Sequence, residues 1–277
     1  MVEEGREFYG IRLGHEELAY MLILMRAKTL PGLEEDLLKG LDDRQKEAVL
    51  GASERSLVAR GIIRIEEGEN KVEIDPLTLS LLGTCVYPQR TSSLTVIDKA
   101  GNVDGRYYHS RDSFLVEHSF PGTGVHEFTV SNSEKAMEER ILRFIALGDD
   151  PPPEGEAITI SVPDAAEVLD QMRRGGRNAL REILVNIGLS EEKADTLYEL
   201  FDTSDKCIMV NRVDFGPSRE ELQVRGAAFL KSPGGLWAFY GDGEDPRLMR
   251  VEPWPERRAK VAVLEYITGN PSNLSTR

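Results

Sequence analysis

The chain has 277 residues, which is enough to bury a sizeable core as one large domain or as two half-sized lobes. Its 34 Lys and Arg residues stand against 48 Asp and Glu residues, and the net charge of -14 disfavours nucleic acid and anionic membranes as partners unless a basic patch is segregated. The acidic N-terminus lacks the pattern of a signal peptide, and the longest apolar run, Leu18 to Met25, is too short to span a bilayer. We therefore expect a cytoplasmic protein that contacts no membrane.

The N-terminal part of the chain has apolar residues at helical spacing. The pattern predicts helices over residues 16–25, 33–41 and 43–60. Two short alternating runs, 62–65 and 71–74, flank a glycine-containing turn and predict a β-hairpin. The pair Asp75-Pro76 then opens a further helix, because proline is well suited to the first helical turn.

Helices followed by a hairpin are also the outline of a winged helix, so a transcriptional regulator is the alternative function. In the segment that would serve as the recognition helix, acidic and basic residues offset each other. The wing would carry Glu66, Glu67 and Glu69. Because an acidic wing is repelled by a phosphate backbone, the charge pattern disfavours this alternative.

Two later regions have the period-two pattern of antiparallel strands, and each ends in an amphipathic helix. The first meander runs from 92 to 130, has about four strands, and is followed by a helix from 134 to about 147. The second half begins with a strand over 157–161 and helices over 163–174, 177–186 and 190–202, then a meander from 207 to 251 and a last helix over 255–267.

The clearest linker runs from Gly148 to Gly155, because three successive prolines favour an extended segment. It divides the chain into an N-terminal lobe, 1–150, and a C-terminal lobe, 151–270, followed by a tail, 271–277, that is expected to be disordered.

Both lobes have the same order of elements, which suggests an internal repeat. At one offset, Glu134, Ile141 and Ile145 align with Glu256, Val263 and Ile267, although any two amphipathic helices could match by chance. The predicted fold class is α+β, a quasi-two-fold arrangement of two lobes with antiparallel meander sheets covered by helices. The strands of the two lobes could pair into one broad sheet.

Four histidines occur, and His109, His118 and His126 fall on the first meander. They could indicate a metal site or an acid/base site, but no pair has helical ligand spacing and their neighbours are polar. We therefore expect exposed strand histidines, no metal site and no catalytic residue.

Other chemical motifs are also missing from the sequence. The glycine-rich stretches at 121–124 and 241–243 lie between predicted strands, so they predict hairpin turns and not phosphate-binding loops. Cys85 and Cys207 lie beside apolar residues and are expected to be buried free thiols, with a disulfide as the alternative. We expect no cofactor and no enzymatic activity.

Apolar side chains next to turns are candidates for binding a partner, because rigid aromatic residues at loop edges are common anchors. The candidates are Phe215, Pro217, Leu236, Trp237 and Trp254. The alternative is that both tryptophans are core residues, since large aromatic side chains are mostly buried.

Two parts of the sequence have a recognisable order of residues. The first is Arg60-Gly61-Ile62-Ile63, a short acidic hairpin, and the helix that opens Ile74-Asp75-Pro76-Leu77. The second is Gly235-Leu236-Trp237, Val251-Glu252-Pro253 and a helix that ends Leu264-Glu265-Tyr266-Ile267. In this order they resemble the EspG family, the cytosolic chaperones of type VII (ESX) secretion.

The resemblance implies a quasi-two-fold α+β fold, which would account for the internal repeat. It also implies a non-catalytic chaperone or adaptor that holds a helical, PPE-like secretion substrate soluble in the cytosol. The implied partner is a helical secreted protein of the PE/PPE or WXG type, with no nucleic acid and no membrane. The family offers no catalytic motif, and its contact residues are too variable to assign to positions in this sequence.

Overall fold

The computed structural model describes residues 7–33, 36–66, 71–164, 177–186, 189–216 and 221–269. The strands are β1 (Phe8–Gly14), β2 (Ile63–Glu66), β3 (Lys71–Ile74), β4 (Arg90–Asp98), β5 (Val103–Arg111), β6 (Phe114–Gly122), β7 (Val125–Ser131), β8 (Ile158–Ser161), β9 (Lys206–Phe215), β10 (Leu222–Ser232), β11 (Gly235–Gly241) and β12 (Leu248–Trp254). The helices are α1 (His15–Leu24), α2 (Asp43–Ala59), α3 (Pro76–Val86), α4 (Glu134–Ile145), α5 (Arg177–Asn186), α6 (Glu191–Thr203) and α7 (Glu256–Thr268).

Ten strands form one sheet in the order β1-β7-β6-β5-β4-β9-β10-β11-β12-β8, and β2 and β3 form a separate hairpin. The predicted α+β class is confirmed, as is the prediction that both meanders join one broad sheet. In each half of the chain, the first strand of the ten-stranded sheet pairs antiparallel with the last strand of the meander. Thus β1 pairs with β7, and β8 pairs with β12.

The helices that close the two meanders bury equivalent positions. In α4 the buried residues include Met137, Ile141 and Ile145, and in α7, at the same offset, they are Ala259, Val263 and Ile267. Each helix follows the last strand of its meander. The equivalent burial and the equivalent strand order both support the predicted internal repeat.

The residue contacts divide the chain into two compact units. Unit 1 comprises Met1–Ser93, Gly105–Glu139 and Val213–Gln223, and unit 2 comprises Leu94–Asp104, Arg140–Arg212 and Val224–Arg277. Each unit therefore draws on three segments of chain, whereas the predicted lobes, 1–150 and 151–270, are continuous, and the lobe boundary stays a prediction. The predicted tail, 271–277, lies outside the described residues.

The core of unit 1 lies between the sheet and helices α1, α2 and α3. Its most deeply buried apolar residues are Leu13, Leu18, Met21, Leu30, Leu57, Ile63, Leu81, Leu82, Cys85, Val116 and Phe128. Helix α3 begins where the sequence predicts, because the Asp75 carboxylate accepts hydrogen bonds from the Thr78 N–H at 2.8 Å and from its hydroxyl at 3.0 Å. Pro76 occupies the first turn of the helix.

The core of unit 2 is formed by β8, β10, β11 and β12 with helices α5 and α6. Its buried residues are Ile158, Ile160, Leu184, Ala194, Leu197, Leu200, Leu230, Trp237, Phe239 and Val251. The proline-rich segment packs within this unit, since Pro153 lies against the backbone of Gly235 and Gly155 lies against the Trp237 ring. Segment 148–155 is therefore an ordered strap on unit 2.

The helix predicted over 33–41 is wrong for the described residues 36–41, which form successive turns. The Lys39 N–H donates to the Asp36 carbonyl and the Leu41 N–H to the Leu38 carbonyl, three residues back. The Asp36 carboxylate accepts from the Leu38 N–H at 2.9 Å, and Gly40 has φ of +87°. A short aspartate side chain competes with helical backbone hydrogen bonds in this way.

Two other differences concern segments near the helices. Strand β1 was not predicted, although Tyr9, Ile11 and Leu13 alternate with Gly10 and Arg12. The helix predicted over 163–174 falls mainly outside the described residues. The other predicted helices and strands occur within a few residues of their predicted bounds.

Candidate functional site

The predicted partner-binding residues occupy different environments. Leu236, Trp237 and Trp254 are buried, with 0%, 5% and 7% of their surface exposed. Phe215 is half-buried at the end of β9, and Pro217 lies outside the described residues. Both tryptophans are thus core residues, which was the alternative interpretation, and a role in binding a partner stays a prediction.

Trp254 is held by polar groups around Glu252. The indole Nε1–H donates to Glu252 Oε1 at 2.5 Å, the Tyr240 hydroxyl donates to the same oxygen at 2.6 Å, and the Arg258 guanidinium lies 3.8 Å from the indole centroid. Burial raises the pKa of Glu252, but hydrogen bonds from Tyr240 and Trp254 and the charges of Arg258 and Arg250 outweigh it and lower the pKa. Trp254 therefore contributes to the internal packing of unit 2.

Phe215 lies on a well-anchored corner of unit 1. Its N–H donates to the Gln89 carbonyl at 2.9 Å, and the adjacent Asp214 forms an ion pair with Arg90 at 3.1 Å. A hydrogen bond of 2.8 Å from Gly216 N–H to the Glu221 carbonyl closes the β9–β10 hairpin. This bond brings Phe215 close to Leu222, the first residue of β10.

Leu222 has 54% of its surface exposed, and sequence reasoning did not single it out. We refer to Phe215 and Leu222 as the hairpin patch. The signal was present in the sequence, since Leu222 begins the second arm of a hairpin whose first arm ends in Phe215. Leu222 is exposed and Phe215 next to it is half-buried, and apolar surface of this kind is a candidate for contact with another protein.

The histidines of the first meander are buried, and the prediction of exposed strand histidines is wrong. His109 and His118 have no exposed surface, and His126 has 3%. Their polar neighbours Glu117 and Glu127 are next to them in sequence and therefore project from the opposite face of the sheet. The histidines lie on the same face of the sheet as Val116 and Phe128, which are buried. The face that the sequence pattern was interpreted to expose to solvent is therefore in the core.

Three imidazoles form a hydrogen-bonded chain. His15 Nδ1 lies 3.0 Å from His126 Nε2, and His126 Nδ1 lies 3.0 Å from His118 Nε2. The His118 and His109 rings are 6.1 Å apart, and His109 Nδ1 lies 3.0 Å from the Thr91 hydroxyl. We call His15, His109, His118 and His126 the histidine array.

Burial lowers the pKa of the inner histidines. It lowers the pKa of His109 to about 3, and together with repulsion from the neighbouring histidines it lowers that of His118 to about 2. Burial and the proximity of His15 lower the pKa of His126 to about 4. These imidazoles are therefore neutral at pH 7.

Other chemistry is limited among the described residues. No group of three or more His, Cys, Asp or Glu residues in the part of the chain described has the arrangement of a metal site. Both cysteines are free thiols, as predicted, and burial raises the pKa of Cys85 well above its usual value and that of Cys207 to about 11. Within the described residues, no helix combines the length and apolarity needed to cross a membrane.

No protein-family model and no curated protein sequence matches the chain. Among solved structures, the fold is similar to that of the type VII secretion system chaperone EspG5 of Mycobacterium tuberculosis, solved in complex with the PE25-PPE41 dimer. The two share 10% sequence identity over 96% of this chain and 98% of that chain, with a TM-score of 0.61. A crystal structure of HtdX from the same organism shares 13% identity over 65% of this chain and 84% of that chain, but its TM-score of 0.16 is too low to indicate a shared fold.

Proposed function

We propose that this protein is a chaperone or adaptor of a type VII secretion pathway that binds a helical, PE/PPE-like secretion substrate in the cytosol and keeps it soluble until export. The observation that carries the proposal is the similarity of fold to the EspG5 chaperone over almost the full length of both chains. That chaperone was solved with a PE25-PPE41 dimer bound, which supports a partner of the same helical kind. Fold similarity at 10% identity does not transfer function by itself, so the proposal needs a binding test.

The positions of the resembling residues add support. Arg60 is the C-cap of α2, and Asp75 and Pro76 open α3 directly after the β2–β3 hairpin. The second group occupies β11, β12 and α7, which are also consecutive elements. The residues that suggested the family therefore lie in two continuous structural segments, in the order in which the resemblance requires them.

The direct test is affinity capture of the tagged full-length protein from a lysate of its own cells, followed by mass spectrometry and light scattering of the purified complex. We expect a stoichiometric complex with a small helical protein, or a pair of them, of the PE/PPE or WXG type. Recovery of DNA would instead support the regulator, and the absence of any stoichiometric partner would contradict the proposal.

The hairpin patch can be tested in the same complex. We expect Phe215→Ser and Leu222→Ser each to weaken capture roughly fivefold or more, because truncating a well-packed apolar contact costs over about 1 kcal/mol of binding free energy. Phe114→Ser is the matched control, since Phe114 is also a strand phenylalanine of unit 1 and is 48% exposed. Equal effects of all three changes would place the contact elsewhere without contradicting the chaperone proposal.

A further inference from the structure

All four histidines of the sequence belong to the histidine array, and all lie in unit 1. The array runs from His15, a partly exposed residue at the start of α1, to two fully buried rings on β5 and β6. Unit 2 contains no histidine. The imidazole side chains of the protein are therefore concentrated in one cluster of one unit.

Neutral imidazoles allow one nitrogen of each contacting pair to donate an N–H and the other to accept, so both 3.0 Å contacts are hydrogen bonds. Among the described residues, His118 Nδ1 and His109 Nε2 have no hydrogen-bond partner. An added proton on either ring would create a buried cation whose extra N–H has no acceptor among the described residues.

The surroundings offer little to offset such a charge. On α1 the adjacent carboxylates are Glu16, which is exposed, and Glu17, which is bound to Arg60 and Ser56. On α3, which also packs against this face, the titratable group is the buried Cys85 thiol.

The strands that carry the array present mainly apolar and aromatic groups to it. The neighbouring rings are Tyr107 on β5, Phe120 on β6 and Phe128 on β7. The carboxylates nearest in sequence are already paired, since Glu117 binds Arg106 at 3.1 Å and Glu127 binds Arg12 at 2.6 Å.

We propose that the histidine array is a proton-sensitive element that loosens unit 1, but not unit 2, when the pH falls below about 6.5, the usual range in which a free histidine becomes charged. In the unfolded chain the imidazoles bind protons in mild acid, whereas the buried imidazoles of the folded chain stay neutral. Mild acid therefore favours opening of unit 1. The sign follows from linkage, since stability rises with pH wherever the unfolded state binds more protons. Each buried ring that stays neutral in the folded state lowers the ratio of folded to opened unit 1 by about 25-fold at pH 5 relative to pH 7.

The test is hydrogen–deuterium exchange of the full chain at pH 7.5, 6.0 and 5.0, with rates corrected for the pH dependence of intrinsic exchange. We expect peptides from α1 and from β5 to β7 to lose protection below pH 6.5, while peptides from β11 and α7 keep theirs. Simultaneous loss in both units, or unchanged protection of β5 to β7 at pH 5.0, would overturn the proposal.

A substitution of His118 tests whether the imidazole itself causes the pH response. His118→Phe retains the aromatic contact with Phe128, and it should reduce the loss of protection between pH 7.5 and pH 5.0 by about 30-fold. Tyr107→Phe is the control, because Tyr107 pairs with His118 across β5 and β6 and the change removes a hydroxyl group but no imidazole. An unchanged pH response in His118→Phe would contradict the proposal.

If His118→Phe fails to fold, NMR of the wild-type protein still tests the proposal. We expect the ring signals of His109, His118 and His126 to remain those of neutral imidazoles down to the pH at which unit 1 opens. A normal titration near pH 6.5 with the fold intact would overturn the proposal.

Discussion

At the scale of single residues, Glu117 shows how a charge can be buried in a sheet. The side chain has no exposed surface, yet both oxygens are used: Arg106 donates at 3.1 and 3.2 Å, and the Tyr108 hydroxyl donates at 3.1 Å. Such a carboxylate is tolerated only while its partners remain, because removing one leaves an uncompensated buried charge.

We therefore expect Arg106→Met to lower the free energy of unfolding by about 3 kcal/mol. Urea unfolding at pH 7.5 measures this change. The control is Arg247→Met: the Arg247 side chain is 85% exposed, so losing its ion pair with Asp245 should lower the free energy of unfolding far less than Arg106→Met does. Similar losses in both variants would show that Glu117 does not depend on its cation.

At the scale of elements, the strap over 148–155 is fixed by charges at one end. Lys231 on β10 pairs with Asp150 at 2.7 Å and with the Glu256 carboxylate, which is 2% exposed. Lys260 on α7 reaches Asp149 at 3.0 Å. The segment that composition marks as a linker is thus tied to the first turns of α7.

We expect Lys231→Met to destabilise the protein by about 3 kcal/mol, since it leaves Glu256 buried without a cation. Adding Glu256→Gln should recover part of that loss, because the double variant removes the unpaired charge. Lys99→Met, which breaks the exposed pair with Asp205, is the control and should destabilise the protein much less than Lys231→Met does. Thermal or urea unfolding of the wild type, Lys231→Met, Glu256→Gln, the double variant and Lys99→Met checks the comparison, and an additive double variant would contradict it.

The elements that could be predicted are those with a strong local signal. Asp75-Pro76 defined the start of α3, and period-two alternation defined β4 to β7. The segment 33–41 had helical spacing but also Asp36 and Gly40, whose turn preferences prevailed. Strand β1 was missed because a seven-residue edge strand has few alternating positions, although the strand that opens the second half, β8, suggests its counterpart by repetition.

The candidate sites were less predictable, because burial depends on which face is covered. His118 lies two residues from Val116 and from Phe120, so the alternation of the strand places all three side chains on one face. The apolar neighbours on that face indicated the core, but the interpretation gave more weight to the polar residues between them. The aromatic residue Trp254 was selected for its position beside a turn, but helix α7 supplies Arg258, which covers the indole. The local pattern carried part of this information at His118 but little at Trp254, whose indole also packs against Phe229 of β10 and Tyr240 of β11.

At the scale of the whole molecule, the net charge of -14 is the dominant electrostatic feature. A compact state with a large excess of one sign is destabilised by self-repulsion, which dissolved salt screens within about 10 Å at 0.1 M. The exposed ion pairs that salt also weakens contribute little individually.

Raising sodium chloride from about 20 to about 200 mM should therefore raise Tm by about 2–4 °C, equivalent to about 1 kcal/mol for a protein of this size. Choline chloride at equal ionic strength should have the same effect, because screening does not depend on the cation. A response to sodium alone would indicate specific cation binding, and a fall in Tm would contradict the argument.

The order of the sheet has a consequence for self-assembly. An open sheet has two edge strands whatever its number of strands, and in the ten-stranded sheet these are β1 and β8. Strand β8 has only four residues, and the Arg60 side chain donates to the Arg12 carbonyl on β1. Short or covered edge strands resist pairing with strands of other chains. Within the described residues, the ten-stranded sheet thus has one short edge strand and one edge strand bound by a side chain at Arg12, which disfavours edge-to-edge pairing between copies of this protein.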